Sequence, residues 1–164
     1  SSDLMNIKIL CVGKLSEKFF KDACEEYKKR ISAFSKIEII EIPEEKIMTQ
    51  TPSKLEIENV LKKEEGRILG KISDSDFVIT LEILGKSIDS EDFSKFLEEK
   101  MNDGNSKFIF VIGGSFGLGD EIKQRSNFKL SFSKFTLPHQ LFRVVLLEQI
   151  YRAFKIMNNQ IYHK

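Results

Sequence analysis

The stretch Phe108-Ile-Phe-Val-Ile-Gly-Gly-Ser-Phe-Gly-Leu-Gly-Asp120 leaves this chain few folds to choose from. A run of five apolar residues leads straight into four glycines spread over seven positions. An unbroken apolar run suits a strand covered on both faces, as in a parallel sheet. Gly113, Gly114, Gly117 and Gly119 let the backbone turn sharply and approach a bound molecule closely. Asp120 and Glu121 then supply the acidic first turn expected of a helix. Strand, glycine loop and helix together mark a ligand mouth at the carboxyl edge of a sheet. The plainer alternative is a glycine-rich turn with no ligand.

The loop departs from the familiar nucleotide motifs. A Walker loop needs Gly-Lys-Ser/Thr after its spacer, and that tripeptide does not occur. The dinucleotide fingerprint needs G-x-G-x-x-G directly after a strand. Here the order is Gly113-Gly114-Ser-Phe-Gly117-Leu-Gly119, on a late strand rather than the first. The spacing points away from a dinucleotide or a triphosphate.

With 164 residues, the chain is read as one domain with a real core. Ser1-Ser-Asp-Leu4 before Met5 reads as an expression scar, leaving residues 5–164 as the domain. Lysine and arginine total 26 against 25 acidic residues, a net charge of +1. A dedicated nucleic-acid binder usually carries a basic surplus, so any RNA contact needs a local patch or a second subunit. Cys11 and Cys24 lack metal or redox spacing, and with abundant Lys and Glu they suit a reduced, cytoplasmic protein. No apolar run approaches a membrane span, no signal peptide is expected, and no metal site is suggested.

Residues 7–12 read as a first strand and residues 17–34 as a helix with an apolar stripe through Phe19, Phe20, Ala23, Tyr27, Ile31 and Phe34. A second strand spans residues 37–42. Ser53 with Glu56 forms a capping box that opens a helix to about residue 69. Residues 76–83 form the third strand, and Asp89 or Ser90 caps a helix through Met101. After the strand at 108–112 come a short helix at about 120–124 and a last strand at 128–132. Strands alternating with helices define an α/β protein with a mainly parallel sheet.

Ser133-Lys-Phe-Thr-Leu-Pro-His-Gln140 is a second loop, and Pro138 sets up the entry to a final helix over residues 141–158, roughly 27 Å long. The first half of that helix is apolar around most of its circumference, which asks for more cover than one sheet provides. A homodimer contact would supply it. The helix is expected to place Arg143 and Glu148 near Arg152, with Glu148 and Arg152 at i,i+4 spacing; a solvated ion pair is the plain alternative. His139 reads as a capping or packing residue. His163 lies in an aromatic-basic tail.

Three segments carry a resemblance to a known family: Phe-Val-Ile-Gly-Gly-Ser-x-Gly-Leu from Phe110, Leu-Ser-Phe-Ser-Lys-x-Thr-Leu-Pro-His-Gln-x-x-Arg-Val-x-Leu-x-Glu-Gln-x-Tyr-Arg-Ala-x-Lys-Ile from Leu130, and the terminal Tyr-His-Lys. Together with Ile-Lys-Ile-Leu-Cys-Val-Gly-Lys14 at the amino end, they closely resemble the ribosomal RNA large subunit methyltransferase H family. The likeness runs from Met5 to Lys164. It implies a SPOUT-class homodimer with a C-terminal trefoil knot, its knotted part at about residues 76–164. It also implies methyl transfer from S-adenosyl-L-methionine to N3 of a pseudouridine in 23S rRNA of the assembled ribosome. By similarity, the cofactor lies among Leu81, the glycine loop at Gly113, Gly114 and Gly117, and the segment Phe132, Ser133, Lys134, Phe135, Thr136 and Leu137.

The N3 imide must lose its proton, which calls for a general base or a stabilised anion. His163 is the first candidate base, because its ordinary pKa lies near neutrality. Tyr162 is the candidate to stack on the target base. Arg143 and Arg152 are candidates to hold phosphate or the developing anion, with Glu148 orienting an arginine. The near-zero net charge suits an enzyme that depends on the folded ribosome for docking. Two rival classes share the layout: a nucleotide- or NAD-binding α/β enzyme, and a non-catalytic ribosome-binding dimer.

Overall fold

A computed structural model of the chain describes residues 5–159. Its elements follow the expected alternation. They are β1 (Asn6–Val12), α1 (Lys18–Ile31), β2 (Lys36–Ile42), α2 (Lys54–Leu69), β3 (Phe77–Ser87), α3 (Ser90–Asn102), β4 (Lys107–Ile112), α4 (Asp120–Arg125), β5 (Phe128–Ser131) and α5 (His139–Met157). The strands form one sheet in the order β2-β1-β4-β3-β5, with every pairing parallel.

The apolar run that opens the argument becomes β4, flanked by β1 and β3 and buried from Phe108 to Ile112. Its alternate residues feed two cores. Phe108, Phe110 and Ile112 face α1, α3 and α5, whereas Ile109 and Val111 face α2 and α4. A strand covered on both faces needs no polar alternation, which is why its sequence reads as continuous apolar residues. The Ser53 capping box forms as its spacing predicts: the hydroxyl accepts from Glu56 N at 3.1 Å, and the Glu56 carboxylate accepts from Ser53 N at 3.1 Å.

Two features differ from the sequence reading. β3 runs on to Ser87, but Leu81 and Lys86 both register against Leu130 of β5. Residues 82–85 therefore arch out of the sheet. A Cβ on Gly85 would stand 2.8 Å from the carbonyl carbon and oxygen of Lys129, so the arch crosses β5 too closely for any side chain there.

The second difference concerns α5. Much of its apolar circumference is covered within this chain. Leu146, Leu147, Ile150 and Ala153 are fully buried within this chain, packed with α1, α3 and the sheet. Phe34 stacks on Phe154 with ring centroids 5.6 Å apart, and Ser94 of α3 donates to the Ala153 carbonyl at 2.8 Å. Neighbouring helices cover these residues, whereas Phe142, Val144 and Val145 stay half-buried on α5.

Candidate cofactor-binding site

At the carboxyl edge of the sheet, the ends of β3, β4 and β5 surround a cavity of about 550 Å³. Leu81, Gly113, Gly114, Gly117, Phe132, Ser133, Phe135, Thr136 and Leu137 all line it. Of the ten residues expected around the cofactor, Lys134 alone is not part of the lining; it is exposed.

The glycine loop is closed tightly on itself. Gly117 N donates to Gly114 O at 3.1 Å, and Gly117 takes φ +81°. A Cβ on Gly113 would lie 2.6 Å from the Gly117 carbonyl oxygen, closer than real contacts allow. This loop can keep its shape only with glycine at 113, and only with difficulty without glycine at 117. From behind, Glu65 of α2 accepts from Ile122 N at 3.0 Å and so caps the first turn of α4. Ser115 donates to Glu44 at 3.1 Å, tying the loop to the β2–α2 connection. Burial pushes the neighbouring Glu64 carboxyl above its ordinary range, although it accepts from Glu45 N at 2.9 Å.

The opposite wall is pinned by aromatic contact. Phe132 stacks on Phe142 of α5 with centroids 4.9 Å apart, and Ser133 Oγ accepts from Phe135 N at 2.9 Å. Glu82, Lys123, His139 and Phe142 also line the cavity, and the sequence reading named none of them as cofactor contacts. Glu82 sits on the arch, where it accepts from Thr80 Oγ1 at 2.6 Å. Gly85 was the available signal for that arch. His139 begins α5 exposed, and its side chain caps nothing.

The candidate catalytic residues are dispersed. Tyr162 and His163 lie outside the described residues. Glu148 and Arg152 form their expected pair at 3.0 Å, half-buried on α5. Arg143 does not join them. It is 5% exposed and turns beneath α5, donating to Glu41 at 2.9 Å and to the Gly13 carbonyl at 3.4 Å. Among the described residues, its Nε finds no hydrogen-bond partner. Arg143 is absent from the cavity lining because Glu41, at the end of β2, claims it. Burial pushes the Glu41 carboxyl up, but the hydrogen bonds from Arg143 and Leu15 N, with the charges of Arg143 and Lys14, hold it below its ordinary range. Next to this pair, burial raises the Cys11 thiol to about 12, against a smaller lowering by Arg143.

Three residues before Arg143, Gln140 accepts from Ser16 N at 3.0 Å and Glu17 N at 3.4 Å. Glu17 makes no side-chain cap of its own, and Gln140 of α5 holds the two N–H groups just ahead of α1. Gln140 and Arg143 thus clasp the β1–α1 connection from the helix that also forms the cavity wall.

Fold and cavity define an α/β protein that holds a small molecule at loops following parallel strands. The family model described as "Predicted SPOUT methyltransferase" matches residues 5–163, and the chain belongs to that family. It is a methyltransferase of the SPOUT class. Its structure is similar to that of a probable methylase family protein from Haemophilus influenzae Rd KW20, at 14% identity and TM-score 0.53, covering 96% of this chain and 70% of the other. A probable methyltransferase from Bordetella pertussis Tohama I aligns at 11% identity and TM-score 0.56, covering 93% and 96%. At these identities the likeness is one of fold.

SPOUT methyltransferases generally use S-adenosylmethionine. The cavity fits such a group. Its volume falls in the usual ligand range of about 300–1,000 Å³. Ile112, Leu118, Leu130 and Leu137 offer apolar cover, while Ser131, Ser133, Thr136 and the backbone of three loops offer hydrogen-bonding groups. Among the described residues, no group of His, Cys, Asp or Glu is placed to hold a metal ion. No described helix is long and apolar enough to cross a membrane.

Proposed function

We propose that this protein methylates N3 of a pseudouridine in 23S rRNA of the assembled ribosome, using S-adenosyl-L-methionine. The observation that carries the cofactor part is the loop-walled cavity, whose lining coincides with the loops that the resemblance assigns to the cofactor. The RNA part is supported by the three motifs quoted above, including Tyr162-His163-Lys164.

The bound cofactor supplies an electrophilic methyl group; the protein's residues must orient the uracil ring and remove the N3 proton. His163 is assigned the proton, and Tyr162 the stacking of the base. Arg152, oriented by Glu148, is assigned the phosphate or the developing anion. Arg143 is better read as a positioning residue, since Glu41 and Gly13 already engage it.

The proposal includes a homodimer and a trefoil knot. Support for the dimer comes from the cavity mouth, where the lining residues Ile83, Leu84 and Phe135 are exposed large apolar residues. Exposed apolar side chains gathered around one mouth suit a second copy closing over it.

The test is methyl transfer from labelled cofactor to ribosomes that lack the modification, followed by mapping of the product. Parent protein should label one pseudouridine at N3. His163→Ala should slow single-turnover transfer by on the order of 100-fold, with partial recovery as pH rises. Labelling of free nucleotides or of protein, with ribosomes untouched, would overturn the assignment.

A further inference from the structure

A second concavity, of about 570 Å³, lies at the amino edge of the sheet, opposite the cofactor cavity. Asn6, Lys8, Lys36, Glu38, Lys71, Ser73 and Lys107 contribute to its lining. With six residues in β4, the two edges are roughly 20 Å apart. We infer that this lysine-lined cleft is a docking surface for the phosphate backbone of RNA, separate from the methyl-transfer site. The inference rests on the RNA substrate proposed above and adds to it where a second part of that RNA is held.

The cleft exists because one face of the sheet is covered unevenly. α1, α3 and α5 cover the other face, but here α2 ends at Leu69 and α4 has only six residues. A parallel sheet ordinarily has both faces covered. The sequence anticipates the gap. Asn6, Lys36 and Lys107 are in register on three adjacent strands, and Lys8 registers with Glu38 two residues on. Two residues further still, the same rows carry Leu10, Ile40 and Val111, which meet α2 and α4. The rows change from charged to apolar where helix cover begins.

Solvation alone would be served by paired charges of both signs. Instead Lys8, Lys36, Lys71 and Lys107 are all exposed, and among the described residues none of them forms an ion pair. Of the two carboxylates in the lining, Asp76 is buried and accepts from Ser73 N at 2.7 Å and Ser73 Oγ at 3.0 Å. Only Glu38 opposes the lysines from an exposed position. In a chain whose net charge is +1, this is a local basic excess. Lys36 and Lys107 stand two strand spacings apart, about 10 Å, so the charge is spread along a row. An extended polyanion matches that spread better than one compact anion does.

The experiment replaces Lys8, Lys36, Lys71 and Lys107 together by Gln. A charge-matched control replaces the exposed Lys29, Lys54, Lys62 and Lys95 by Gln. Binding to large ribosomal subunits and to a short RNA stem-loop is measured by filter retention across a range of salt, alongside cofactor affinity by calorimetry. The cleft variant should bind RNA at least about tenfold more weakly, and its log–log salt slope should fall by about three, near 0.7–0.9 per lysine. Cofactor affinity should not move. Equal losses in cleft variant and control, or no loss in either, would overturn the inference, as would a parent protein that binds no RNA. A parent that binds RNA through these lysines yet methylates none sinks the substrate proposal and leaves the cleft standing.

Discussion

The two edges of the sheet carry concavities of nearly equal volume, about 550 and 570 Å³, built by opposite means. At the carboxyl edge, loops make the walls: a glycine loop, an arch forced out of β3, and the loop after β5. At the amino edge, side chains on regular strands and the turn after α2 make them. The difference lies in what each can recognise. A backbone cradle fixes donors and acceptors in place and tolerates few substitutions, which suits one small molecule of defined shape. A row of lysines adapts to a partner of variable outline and gives up affinity as salt rises. A single substitution should therefore disable the first edge and only weaken the second.

The largest effect separates the buried wall behind the cavity from its exposed mouth. Leu146 is fully buried beneath α1 and α3, whereas Leu84 at the mouth is 98% exposed. Leu146→Glu places an unpaired charge in the core, costing on the order of 4 kcal/mol or more, and should leave little folded protein. Leu84→Glu should keep the fold and dissociate the proposed homodimer in light scattering. If Leu146→Glu folds normally, the core assignment of α5 is wrong. If Leu84→Glu leaves a dimer intact, the interface lies elsewhere.

Next comes the cradle. Gly113→Val sets its Cβ against the Gly117 carbonyl oxygen at 2.6 Å and should reduce S-adenosylmethionine affinity by about 100-fold or more in calorimetry. The same protein should keep its affinity for RNA. Retained cofactor binding in a folded Gly113→Val variant would remove the glycine loop from the site.

How much of this was legible beforehand follows from the range over which each feature is determined. β4 and its loop were readable because an apolar run ending in glycines is a local pattern, and so was the Ser53 capping box. The arch at 82–85 was not, because a register shift depends on where β5 lies, and β5 is far along the chain. Arg143 was assigned to Glu148 and Arg152 by helical spacing, yet its partner is Glu41, 102 residues away. Spacing identifies neighbours on one helix and says nothing of what the sheet brings beneath it. The apolar circumference of α5 was legible, but periodicity cannot distinguish an adjacent helix from a second subunit, and α1 and α3 supply much of its cover. The amino-edge cleft escaped notice because its lysines come from β1, β2, β4 and the turn after α2.

A smaller effect tests the clasp behind the cavity. Glu41→Gln leaves the Arg143 guanidinium without its carboxylate. Glu41 is itself 39% exposed on its side chain, so screening reduces the cost to about 1–2 kcal/mol at neutral pH. The folded-state pKa of Glu41 is depressed, so its contribution is complete above the ordinary value of 4.5 and disappears as pH falls through the lower folded value. Urea melts of parent and variant should therefore differ at pH 7 and converge as pH drops below 4.5. A constant gap across that range would mean that the ion pair contributes nothing through its charge.

The smallest effect concerns α4, which runs from the glycine loop to the turn beside the lysine cleft. α4 leaves the glycine loop at Gly119 and ends at Arg125, which donates to the carbonyls of Ser73 and Asp76, each at 2.9 Å, and to Asn127 at 3.0 Å. Those carbonyls belong to the turn that forms one side of the lysine cleft. Arg125→Gln should lower stability by about 1 kcal/mol, the usual net worth of such bonds. The turn carrying Lys71 would then be held less firmly, and RNA affinity should fall by about two- to threefold. The salt slope should stay within a few tenths of the parent's, because no lysine has been removed. Cofactor affinity should be unchanged, since Glu65 rather than Arg125 fixes the start of α4. If Arg125→Gln instead weakens cofactor binding as much as RNA binding, α4 transmits strain from one edge to the other, and the two sites are not independent.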